Sequence, residues 1–120
     1  MTLAIFVYYT DPETGEEIDV DLGPGGEMAG VEALRHQLWG TPIMTELGLT
    51  LIPTLRNNNI FASGDELDVL EQEAKTILEN ADFIAERLGW RGTETILHRT
   101  GNIVKAVEEA RKINGTVHIG

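Results

Sequence analysis

SGDELDVLEQEAKTILENADFIAERLGWRG, residues 63–92, is the stretch on which the fold turns. Leu67, Leu70, Ala74, Ile77, Ala81, Ile84 and Leu88 recur at steps of three and four, which puts them on one stripe of an α-helix. Ser63 followed by Glu66 has the spacing of a capping box, in which the two residues satisfy backbone N–H groups at the helix start. Gly89 ends the helix. Beyond the short loop Trp90-Arg91-Gly92, Thr93 is placed to cap a second helix, with Ile96, Thr100, Ile103, Val107 and Ala110 on one face. So short a loop forces the two helices antiparallel, and Ala74, Ala81 and Ala110 permit close approach. Gly101 interrupts the second helix at a cost of about 1 kcal/mol relative to alanine, so a bend or a closely packed neighbour is expected there.

Outward from the helices, the pattern changes period. Residues 2–10 (TLAIFVYYT) are β-branched or aromatic on both faces, as in an interior strand covered on both sides. Asp11-Pro12-Glu13-Thr14-Gly15 then reverses the chain, and residues 16–22 alternate Ile18, Val20 and Leu22 with Glu17, Asp19 and Asp21. After a glycine-rich loop, Val31, Leu34, Arg35 and Leu38 predict a short helix that Gly40 can close in a left-handed cap. Thr41-Pro42 opens another short helix, up to Gly48. LTLIPTL, residues 49–55, reads as an edge or bulged strand because of Pro53, and Ile60-Phe61-Ala62 as its return across Asn57, Asn58 and Asn59. Thr116-Val117-His118-Ile119 can add a last strand. The expected fold is one α+β domain over residues 1–120. It has a small, mostly antiparallel sheet, made of the N-terminal hairpin plus short strands, packed against a C-terminal antiparallel helix pair.

Composition narrows the class. A chain of 120 residues can withdraw roughly two-thirds of its unfolded surface from water, enough for one core. With no cysteine, disulfides, thiolate zinc sites and cysteine nucleophiles are excluded, and a reducing compartment fits. The apolar opening is too short to span a bilayer and lacks the basic start of a signal peptide, so a cytoplasmic protein with no membrane partner is the expectation.

The net charge is -11, from 20 acids against nine Lys and Arg. That balance opposes nucleic acid and anionic membranes and favours a basic partner. Residues 1–34 hold eight acids and no Lys or Arg, while residues 91–120 hold five bases against three acids. Internal complementarity and solubility explain this asymmetry as readily as a binding surface does.

The stretch EIDVDLGPGGEMAGVEALRHQLW, residues 17–39, has the order of a phosphate cradle: strand, glycines, helix. Its chemistry disagrees. Gly30 is followed by Val31 and Glu32 instead of Lys and Ser or Thr, Met28 stands where a dinucleotide fingerprint needs glycine, and Asp21 and Glu27 would repel an anion. Glu17, Asp19 and Asp21 do not make an EF-hand either, since that loop would meet Pro24 at its glycine position and Gly30 at its glutamate. Carboxylates alternating along one strand face lie about 7 Å apart, so no metal and no cofactor is assigned. Ser63 is the only serine, and His36, His98 and His118 lack ligand or catalytic spacing.

Two classes of function remain. The first is a non-enzymatic interaction protein that binds a basic partner through Glu17, Asp19 and Asp21, with Asp65, Glu66 and Asp68, and behind them Glu71 and Glu73, as a second group. An inhibitor or immunity-type protein for a cationic enzyme is its concrete version. The second is an enzyme or small-molecule binder at His98, Arg99 and Asn102, where Gly101 would have to leave a concave pocket. Leu78 and Phe83, if free, would offer a surface for a homodimer, and Trp39 and Trp90 are expected as buried anchors.

Overall fold

In the computed structural model, which describes residues 1–120, strand β1 (Thr2–Thr10) organises the sheet. β2 (Glu17–Val20) and β3 (Met28–Val31) share one of its edges in tandem, β2 beside residues 7–10 and β3 beside residues 2–4. β5 (Thr116–Ile119) lies along the other edge, and β4 (Ile60–Ser63) pairs outside β5. Every pairing is antiparallel, and the strand order is β2-β1-β5-β4.

The helices are α1 (Pro42–Glu46), α2 (Asp65–Glu79), α3 (Ala81–Leu88) and α4 (Glu94–Lys112). α4 packs on β1, β3 and β5, and α2 packs on β4 and along α4. Arg111 at the end of α4 pairs with Asp68 and Glu71 near the start of α2, so the two helices run antiparallel. The fold is therefore the expected α+β arrangement, a five-stranded antiparallel sheet against a C-terminal helix pair. Leu3, Ile5, Val7, Val117, Ile119, Ile60 and Ala62 on the sheet meet Leu70, Ile77, Ile103 and Val107 on the helices in one core. Each of the leucine, isoleucine and valine side chains among them contributes roughly 1.5–3 kcal/mol by leaving water. Trp39 is fully buried and donates its Nε1–H to the Ala29 carbonyl, whereas Trp90 is half-buried against the same core.

Several local expectations are corrected. Residues 49–55 are not a strand: Ile52–Arg56 form a 3-10 helix. The buried Glu73 carboxylate accepts the N–H groups of Thr50, Leu51 and Ile52, and Pro53 has none to offer, so the segment has few donors left for a sheet ladder. β4 consequently pairs with β5 instead. Ser63 ends β4 and caps nothing; Gly64, at φ 58°, holds the cap position of α2 without a side-chain bond. Thr93 and Thr41 likewise make no side-chain cap bond, and Thr41 donates its hydroxyl to the Leu38 carbonyl.

The long apolar stripe is continuous, but the helix beneath it is not. Asn80, at φ -113°, separates α2 from α3 and donates its side-chain amide to the Thr76 carbonyl. Asparagine competes for backbone groups in this way, which is why helices break at it. Gly89 adopts the left-handed conformation at the end of α3, while Gly40 does not, and Val31 belongs to β3 rather than to a helix. Around Gly101 no atom beyond its chain neighbours and the helix's own adjacent backbone lies within 4 Å of where a Cβ would stand, so no other element packs closely there. β1 is interior, as expected, but only one of its faces is covered.

Candidate functional site

The uncovered face follows from strand parity. In β1 the residues that alternate with buried Leu3, Ile5 and Val7 are Ala4, Phe6, Tyr8 and Thr10, and they look away from the helices. Register then fixes their neighbours. Tyr8 stands opposite Asp19 and Thr10 opposite Glu17 on β2, so both carboxylates share this face. On the other side, Phe6 stands opposite His118 of β5, and His118 opposite Phe61 of β4.

The three rings form a row. Phe6 and His118 have centroids 5.2 Å apart at 29°, and Phe61 and His118 4.2 Å apart at 13°. Phe6 is 43% exposed and Phe61 55%. The His118 Nε2 is shut off from solvent without a hydrogen-bond partner, and burial holds the imidazole pKa below its ordinary 6.5, which favours the neutral ring. A recess opens in the gap between β2 and β3, and Phe6, Asp19, Asp21, Leu22 and Glu27 line part of it. β1, β2, β4 and β5 contain no Lys or Arg. None of the ion pairs of the structure uses Glu17, Asp19 or Asp21. Asp21 makes a local contact, its Oδ1 accepting the Gly23 N–H at 2.8 Å.

The second acidic group is differently placed. Asp65 and Glu66 are exposed in the first turn of α2, where negative charge favours the helix dipole. Asp68 is paired with Arg111, and Glu71 with Arg111 at 2.7 Å and with Lys75. Hydrogen bonding from Arg111 holds the Glu71 carboxyl below its ordinary pKa, against a smaller opposing effect of burial. Glu73 faces the interior. Internal complementarity therefore accounts for much of this group.

His98, Arg99 and Asn102 do not converge on a ligand pocket. Asn102 donates its side-chain amide to the Gly25 and Met28 carbonyls, both at 2.9 Å, and so anchors the glycine-rich loop to α4. Gly23 and Gly25 both have φ 80° in that loop, the conformation that glycine adopts without strain. Arg99 lies against Gly30, and His98 is exposed. None of the five main surface recesses is lined by His98, Arg99 or Asn102. The glycine-rich stretch is thus a strand-to-strand connection, with β3 in place of the expected passage straight into a helix.

The aromatic row is the element that pattern reading does not find. Its only local signal is an aromatic or histidine flanked by aliphatics, in Ile5-Phe6-Val7, Ile60-Phe61-Ala62 and Val117-His118-Ile119. Comparison with models of protein families, with curated proteins and with solved structures finds no match to this chain.

Proposed function

We propose that this chain is a non-enzymatic interaction domain that binds a basic protein through the acidic border of its open sheet face. One observation carries the reading: Glu17 and Asp19 stand exposed on a face that no helix covers, without a cation of the chain beside them. Asp21 extends the same border at the mouth of the adjoining recess. At a net charge of -11 the attraction reaches beyond contact and steers a cationic partner toward the protein. An inhibitor or immunity-type role against a cationic enzyme is the form that suits this chemistry, because carboxylates can take the places of the phosphates such an enzyme binds. A reducing cytoplasm suits a chain without cysteine.

The test is capture from a native extract at low and high salt by the wild type and by the triple variant Glu17→Gln, Asp19→Asn, Asp21→Asn. A basic protein held by the wild type, released by salt and not held by the variant supports the proposal. Equal retention by both proteins removes it.

A further inference from the structure

The acidic border adjoins apolar surface that solubility does not require. Two half-exposed phenylalanines flank the imidazole of His118, and the row runs across three strands from the vicinity of Asp19 to the β4 edge. Exposed aromatics on one sheet face, beside carboxylates and without a cation among them, match a partner that is apolar and positive at once. We propose that this face grips an arginine-bearing segment of its partner, with apolar side chains over Phe61, His118 and Phe6 and a guanidinium between Tyr8 and the carboxylates of Asp19 and Glu17. The inference rests on the acidic-interaction reading and adds to it the anchor residues and the partner's side-chain chemistry.

Arginine is favoured over lysine for a geometric reason. Its flat guanidinium can stack on an aromatic ring and fork onto a carboxylate, whereas an ammonium is a compact, strongly hydrated charge. Tyr8 and Asp19, directly opposite each other in register, offer both halves of that contact side by side. A second copy of this chain is a poor occupant. Face to face, two copies would bring together two chains each of charge -11, with no Lys or Arg on β1, β2, β4 or β5 of either to meet Glu17 and Asp19. The same acids repel a phosphate backbone, although the rings would stack on bases.

Three short synthetic peptides test the proposal: one of arginine and leucine, one of lysine and leucine, and one of arginine and serine. Each is titrated into the ¹⁵N-labelled protein, with affinities from calorimetry. The arginine-leucine peptide is expected to bind about tenfold tighter than either of the others, with the largest shifts at Phe6, Tyr8, Phe61 and His118. Phe6→Thr with Phe61→Thr, both at exposed strand positions and checked for folding by circular dichroism, should weaken it by at least about tenfold. If Glu17→Gln with Asp19→Asn abolishes binding while the phenylalanine pair has no effect, the aromatic anchor is wrong and the acidic reading stands. Equal affinity for the lysine peptide overturns the arginine assignment, and shifts confined to another surface overturn both readings.

Discussion

Glu73 is an acid on an amphipathic helix, yet it is only 7% exposed, and its carboxylate accepts three backbone N–H groups and the Thr50 hydroxyl. A glutamine there would turn two donors toward those donors. Glu73→Gln is expected to lower the free energy of unfolding by about 1–3 kcal/mol in urea titrations. Glu79→Gln, at an exposed position without an ion pair, should stay within about 0.5 kcal/mol. Gly101 predicts the opposite sign. With open space where a Cβ would go, Gly101→Ala should stabilise the protein by about 1 kcal/mol, a rise of roughly 4 °C in Tm by calorimetry. His118 adds a dependence on pH. Because burial lowers its pKa in the folded state, the unfolded chain takes up this proton first as the solution is acidified. The stabilisation is therefore complete above about pH 6.5, the ordinary value, and is lost as pH falls through the folded-state pKa. Tm should drop over that window and drop less in His118→Phe; equal slopes in the two proteins would remove His118 as the cause.

Between elements, the polar ties are unequal. Arg111 joins α4 to α2 through Asp68 and Glu71 at the surface, where ion pairs are weak and screened by salt. Arg111→Gln should lower Tm slightly at low salt and hardly at all at high salt. The depressed Glu71 pKa gives a second acid window. Its contribution is present above the ordinary carboxyl value of 4.5 and is lost as pH falls through the folded value. At this scale the sequence is readable wherever a segment satisfies its own period. The stripes of α2, α3 and α4 and the hairpin of β1 and β2 are legible because their apolar spacing is local. Residues 49–55 are not, since their conformation depends on a carboxylate more than 20 positions away. The Ser63 box fails because its residue is already part of β4. Of the candidate site, the acids of β2 and their common face are legible from alternation. The ring row is not, because residues 6, 61 and 118 meet only through a strand order that no local pattern specifies.

Across the whole molecule, the two central strands are the first and last elements of these 120 residues. β5 pairs with β1 over residues 5–8, and β4 joins the sheet only through β5. Ending the chain after Asn114 therefore removes a middle strand, and is expected to abolish cooperative thermal unfolding, whereas the exposed turn at residues 12–15 should tolerate insertions. The order of synthesis gives the same topology another consequence. Leu3, Ile5 and Val7 are translated more than 100 residues before the strand that completes their sheet. For that interval the nascent chain displays an apolar strand with one open edge, an aggregation hazard of the kind that molecular chaperones shield.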